Sequence, residues 1–379
     1  MARNLARALK RQAEMPALSQ AVLDRFLNMH ERFVAAQAGG RRAMVRYLRA
    51  PGLDFSGRNL TDADFTGADF QDSRLVKVRL AWGSLLCADL RGADCTDADL
   101  SKVDLRGVSL RGANLTGANL DGADMRQAVL ARVDLPGGFK VFGASSKGSD
   151  GPVAFSADFS NCSMQGARLG RAKLRGANFK GAILTGADLK GADLEDASFD
   201  GAVLMGVTFD KAKINPGALA NAVLDPDPKA VSRRELLLER LAEASKWCNS
   251  MGKQGAPAAL DGEDLRPIGN HFARRKLTAL SARKAMAIGV DFTGCHLQGA
   301  NLDGADLRGA NFKEADLRGA SFVGANLWHA KFDGADLGVL HLKNGGVRST
   351  DFSHAVCGEG TLDAAAIAPK AAETPEAVA

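Results

Sequence analysis

The sequence predicts an all-β solenoid, a four-sided parallel β-helix in two blocks, each preceded by an α-helical cap. Three observations predict it. Apolar residues recur at every fifth position over most of the chain. A small residue, most often Ala, sits two places before them. The composition suits a narrow core, with 42 Gly in 379 residues, 6% aromatics and a single Tyr. A hydrophobic content of 46% with 25% charged residues excludes a wholly disordered chain.

The first array runs from Phe55 to Leu135, and only Cys95 departs from Leu, Phe or Met. The second runs from Phe159 to Leu224. Its small position is Ala except at Cys162, Val207 and Gly217. The third runs from Phe292 to Phe352 and is clearest in GANLDGADLRGANFKEADLRGASF. A period of five matches neither the 3.6 of a helix nor the 2 of a flat strand. It matches a chain that turns a corner every five residues. The large residue and the small one two before it point inward, and the residues beside the large one point outward. Gly two after the large residue eases the corner. Four sides close a coil of about 20 residues, and coils stack like parallel strands about 4.8 Å apart.

These residues, among them GADLKGADL at 186–194 and GANLDGADL at 299–307, resemble the pentapeptide-repeat family with its A(D/N)LxG consensus. The resemblance covers about 220 of the 379 residues. It implies a right-handed quadrilateral β-helix and is specific for fold, because the family carries many functions.

The elements follow in order. Residues 1–19 form a basic N-terminal segment and 20–52 a helical cap, whose helix ends in a Gly turn at Gly40. Residues 53–225 form the first solenoid. Within it, PGGFKVFGASSKGSDGP at 136–152 predicts a projecting loop, and the step from Phe155 to Phe159 slips the frame once. Residues 226–289 form a linker and second cap, opened by DPDP. Val231–Ser250 has helical spacing, with Leu237, Leu241 and Ala244 on one face and Ser232 with Glu235 as a capping box. Phe272, Leu277, Ala282 and Ala287 are already in phase with Phe292 and suggest a degenerate coil. Residues 290–357 form the second solenoid and 358–379 a disordered tail. The two caps look related, since Phe33 precedes Gly40 as Trp247 precedes Gly255. A cap is physically needed where an end coil exposes apolar core and unpaired backbone.

Catalytic and cofactor signatures are missing: no GxxxxGK(S/T), no HExxH, no GxSxG. No cofactor, metal or small-molecule substrate is expected. The six His are scattered and read as solvated solenoid residues. Most Asp precede a large apolar residue, where they would hydrogen-bond the turning backbone. The six Cys form no CxxC, which fits reduced thiols in a cytoplasm. No apolar run reaches the roughly 18 residues that span a bilayer.

The candidate binding residues are therefore surface features. The loop carries Phe139, Lys140, Phe142 and Lys147. Residues 20 apart share a face, so Arg91 with Arg111 and Arg106 with Arg126 would form a small basic stripe, unless neighbouring Asp neutralise it. Trp328, 20 after Arg308, is expected outward, as an interaction residue or as a ring stacked on the arginine. The formal charge of +5 is uneven. Residues 1–50 carry 10 basic and 3 acidic groups, whereas residues 290–379 carry 7 and 12.

The expected function is a non-catalytic scaffold for an unidentified protein partner, with self-association through the caps as a further option. Two alternatives stand beside it. The family resemblance implies a DNA-mimic modulator of a type II topoisomerase such as gyrase, but the near-neutral first two arrays and the basic caps argue against a phosphate-like surface. The basic N-terminus suggests a peripheral binder of an anionic surface.

Overall fold

The computed structural model describes residues 17–126, 157–342 and 345–358. The loop at 136–152, the tail beyond Gly358 and most of the basic N-terminal segment lie outside the described residues. The chain divides into two compact units, Met1–Asp225 and Pro226–Ala379.

In the first unit the five-residue repeat becomes a corner every five residues. Phe65 shows how. Ala63 and Phe65 are buried, and Asp64 between them pairs in parallel with Met44 below and Ser84 above. The Asp64 amide donates to the Ala43 carbonyl and the Phe65 amide to the Ser84 carbonyl, both at 2.8 Å. The corner then closes when the Ala68 amide donates to the Phe65 carbonyl at 3.0 Å. Its third residue, Gly67, has φ +67°, as a type II turn demands. Backbone groups along a side are thus shared with the coil above or below, and those at the corner with each other.

The core is a column of stacked side chains. Phe159, Phe179 and Phe199, 20 residues apart, lie parallel with centroids 5.1 Å apart, the spacing of the coils themselves. Each fully buried Leu or Phe contributes about 1.5–3 kcal/mol. Short parallel strands β1 (Asp193–Leu194) and β2 (Lys213–Ile214) mark one place where the pairing runs over two residues. The ladder continues across the insertion: Asn114 pairs with Asp158 and Asn119 with Ser163.

The first coil starts earlier than residue 53. Met44 and Arg49 already pair with Asp64 and Asp69, and Ala50 is a buried centre. Helix α1 (Gln20–Val34) lies against this coil through buried Leu23, Leu27 and His30. Arg58 stands where other coils have a small inner residue, and it reaches Asn28 of α1 at 2.5 Å and Glu31 at 3.3 Å.

The second unit opens with helices α2 (Pro228–Ser232) and α3 (Arg234–Asn249). Leu237, Leu241 and Ala244 form the buried face of α3, as expected. The capping box is not formed. Asp227 caps α2 by accepting from the Ala230 amide, and the Ser232 hydroxyl turns back to the Lys229 carbonyl. Coils begin at Ala259 rather than 290. Phe272, Leu277, Ala282 and Ala287 are fully buried centres. A 3-10 turn, Arg266–His271, lengthens the first coil, so that Ala259 pairs with Ser281 instead of the residue 20 on.

Both helices return to their coils through a glycine with no room for a side chain. A Cβ on Gly40 would lie 2.4 Å from the Phe33 amide nitrogen. One on Gly255 would lie 2.3 Å from the Glu243 carbonyl oxygen and 2.9 Å from the Trp247 amide nitrogen. The sequence parallel between Phe33–Gly40 and Trp247–Gly255 is therefore a shared close approach of backbone to helix end.

The third array hides an interruption. Asp316 pairs with Asp336, but Ser321 pairs with Asp351 and Asn326 with Val356, ten residues later than the repeat predicts. The extra residues form an antiparallel hairpin, β3 (Leu340–His341) and β4 (Val347–Arg348). Leu342 and Val347 keep the five-residue phase, yet they are exposed rather than centres of a coil.

Candidate interaction surfaces

The predicted basic stripe is held in ion pairs. Arg91, Arg106 and Arg126 each follow a DL or DM pair, and each bonds the Asp two residues before it. Nη2–Oδ2 distances are 2.5 Å to Asp89, 2.7 Å to Asp104 and 2.6 Å to Asp124. Residues i and i+2 of a strand share its outer face, so the triplet places both partners side by side. Arg266, Arg308 and Arg318 repeat the arrangement with Asp264, Asp306 and Asp316. Arg111 has Ser109 two before it and is exposed. Burial disfavours the charged form of Asp124, but hydrogen bonds from Arg126 and the charges of Arg126 and Arg168 outweigh it. Its carboxyl is held below the usual range.

The Asp residues also serve the turns. Asp69 Oδ1 accepts from the Gln71 amide at 3.2 Å, Asp94 from Thr96 at 3.1 Å and Asp99 from Ser101 at 3.1 Å. These carboxylates support turns and ladders.

Trp328 is not the outward anchor expected. It is half-buried, Gly309 donates to its carbonyl, and a Cβ on Gly358 would come within 2.7 Å of its ring. Arg308 is only 6% exposed. The chain at Gly358 thus approaches the indole. Phe139, Lys140, Phe142 and Lys147 lie outside the described residues.

Sequence reasoning missed three features. Trp82 is 63% exposed at a turn position with φ +63°, where many corners carry Gly and others a small or flexible polar residue, and Lys102 Nζ lies 4.0 Å from its ring centroid. The signal was a bulky residue in a glycine position. His30 is fully buried, against the expectation of a solvated histidine. The hairpin was invisible because ten residues are two whole periods. It leaves Leu342 42% and Val347 64% exposed. Leu340 anchors it: a Cβ on Gly319 would lie 2.8 Å from the Leu340 Cβ. The Thr350 hydroxyl donates to the Leu317 carbonyl at 2.9 Å.

All six Cys are free. Burial pushes the Cys95 and Cys295 thiols up to about 12, which keeps them protonated and unreactive. Among the described residues no group of His, Cys, Asp and Glu is placed to hold a metal, and no helix is long and apolar enough to cross a membrane.

The pentapeptide repeats model matches eight times, at residues 52–82, 88–127, 109–137, 155–191, 182–215, 288–322, 300–338 and 320–356. The matches span more than half of the sequence. The chain belongs to the pentapeptide repeat family. Solved pentapeptide repeat proteins resemble it at low identity. HetL, involved in heterocyst differentiation regulation in Nostoc sp. strain PCC 7120, is 22% identical over 86% of this chain and 91% of its own, with a TM-score of 0.21. QnrB1, a plasmid-mediated fluoroquinolone resistance protein, is 13% identical over 82% and 93%, with a TM-score of 0.20. A protein of the Arabidopsis thaliana thylakoid lumen is 19% identical over 49% and 73%, with a TM-score of 0.16. No curated protein matches. None of these likenesses supplies a function for this pentapeptide repeat chain.

Proposed function

We propose that this pentapeptide repeat protein is a non-catalytic scaffold that binds a protein partner, with the hairpin Leu340–Arg348 as its principal contact. The hairpin carries the reading. It leaves a regular ladder, is anchored by Leu340 at Gly319, and exposes Leu342 and Val347. An element that departs from a rigid repeat and exposes apolar side chains is suited to recognition. In this reading α1 and α3 act as caps on the first coils of two solenoid blocks, each a right-handed quadrilateral β-helix. Loop 136–152 is a second contact, and the protein works in the cytoplasm. Phe26 and Phe33, exposed on α1, offer a surface for self-association of caps.

A gyrase-directed DNA mimic is less well supported. Such a surface needs carboxylates that stand in for phosphates, whereas Asp89, Asp104, Asp124, Asp264, Asp306 and Asp316 are each neutralised by a neighbouring arginine.

The test is affinity capture from host lysate with the native chain and with a Leu342→Ser/Val347→Ser variant. Neither residue lies in the core, so the circular dichroism spectrum and melting are expected to stay unchanged. The expected outcome is loss of a discrete bound protein from the variant. An identical bound set for both chains contradicts the role of the hairpin.

A further inference from the structure

We infer that His30 is an acid-sensitive latch that holds helix α1 on the first coil and loosens its hold on mild acidification. The ring is fully buried between α1 and the coil. Both of its nitrogens are committed. The Ala43 amide donates to Nδ1 at 3.0 Å, and Nε2 lies 3.1 Å from the Thr61 carbonyl oxygen. An amide can only donate and a carbonyl can only accept. Nδ1 must therefore be bare and Nε2 must carry the proton, which is the neutral ring. A second proton would place two N–H donors face to face at Ala43 and leave a cation in the interior.

The groups around the ring do not relieve that conflict. Glu31 of α1 would favour the cation, but Arg58 takes it at 3.3 Å. Asp62 of the coil is paired with Arg42, at 2.8 Å, and these two act on the ring in opposite senses. Burial dominates, against the Thr61 carbonyl and the acidic groups, and lowers the ring's pKa below 6.5. The released helix leaves His30 in water with its ordinary pKa of about 6.5. Below that pH the released form binds more protons, so closure weakens as pH falls, by up to about tenfold per pH unit until the buried ring itself titrates. Above about pH 7.5 the latch is insensitive to pH. The rest of the grip is the burial of Leu23 and Leu27, the Gln20 side chain on the Asp54 backbone, Asn28 on Arg58, and Glu31 on Arg58 and the Asn59 amide.

The coil beneath α1 contains the pairing edge Met44, Arg49, Asp54 and Asn59. Release uncovers that edge and the apolar contacts of Leu23 and Leu27. The second unit's helix carries no histidine, although Arg234 at its start lies 3.2 Å from His271 Nε2. That helix is clasped by Glu263, which accepts hydrogen bonds from Arg233 and, at 3.0 Å, from Arg240. The Arg233 hydrogen bond, opposed by burial, holds the Glu263 carboxyl below its usual range, so this clasp outlasts pH 5.5.

Amide hydrogen exchange on the full chain at pH 7.5 and 5.5, corrected for intrinsic rates, tests the latch. In the native chain, amides of residues 20–34 and those of Ala43, Asp54 and Asn59, which bond α1, are expected to lose up to about tenfold in protection at pH 5.5, while residues 237–249, beyond the Arg234–His271 contact, keep theirs. A His30→Gln variant supplies an acceptor and a donor without a titrating group, and its protection is expected to be the same at both pH values. The proposal is overturned if native α1 is equally protected at both, or if the variant shows the same loss. Titration of the His30 ring by carbon NMR in the native chain gives an independent reading: a pKa at or above 6.5 overturns the proposal, even if the variant fails to fold.

Discussion

Phe179→Ala is expected to open the second half of the first solenoid while leaving the second unit intact. Phe179 is fully buried and lies flat between Phe159 and Phe199 at 5.1 Å on each side. Truncation removes both stacking contacts and leaves a cavity that the ladder above and below prevents from collapsing. Such losses cost about 3–5 kcal/mol. Coils of a solenoid contact mainly their neighbours, so the loss is local before it is global. Hydrogen exchange should show amides in 157–214 losing about a hundredfold or more in protection, with residues 259–336 unaffected. A loss below tenfold would mean that the column is not the main source of stability there.

Gly255→Ala is expected to loosen α3 from its coil. Gly255 has φ +76°, and a Cβ would strike the Glu243 carbonyl at 2.3 Å. The left-handed backbone costs a non-glycine residue about 1–2 kcal/mol, and the collision with backbone adds a similar amount, for a total near 3 kcal/mol. Gly262 separates the two contributions. It has φ +68° but nothing within 4 Å of its missing side chain. Gly262→Ala should therefore cost only the conformational part, about 1–2 kcal/mol. Thermal melting of the second unit should fall clearly more for Gly255→Ala than for Gly262→Ala. Equal falls would rule out the close approach as the reason for the glycine.

Much of this was legible in the sequence because the repeat is short and each position has one job. The period of five gave the corners, the inward pairs such as Ala63 and Phe65, and the turn glycines such as Gly67. The buried face of α3 followed from the spacing of Leu237, Leu241 and Ala244. The expected role of the Asp before each centre is seen at Asp69, Asp94 and Asp99. Errors arose where a local event left the period unchanged or broke it without a signal. Ten extra residues preserve a five-residue phase, so Leu342 and Val347 passed as coil centres. Two extra residues in the 3-10 turn hid the coil that begins at Ala259. Trp328 stands at an outward position, but its burial depends on Gly358, which the hairpin brings 30 rather than 20 residues after it. The neutralised stripe was readable in hindsight, because each D-L-R or D-M-R triplet sets its charges two residues apart on one strand face.

The hairpin carries the proposed function, and its existence rests on one displacement in pairing. Engineered cysteine pairs measure that displacement directly. Adjacent parallel strands bring Cα atoms within the 4.4–6.8 Å that a disulfide spans. In the structure Ser321 pairs with Asp351, 30 residues on. An uninterrupted repeat would pair it with His341, 20 residues on. Under mild oxidation, with the linkage mapped by mass spectrometry, the Ser321→Cys/Asp351→Cys chain is expected to cross-link within the monomer and the Ser321→Cys/His341→Cys chain is not. A cross-link in the second and none in the first would mean that the coil runs on without a hairpin, and would contradict the account.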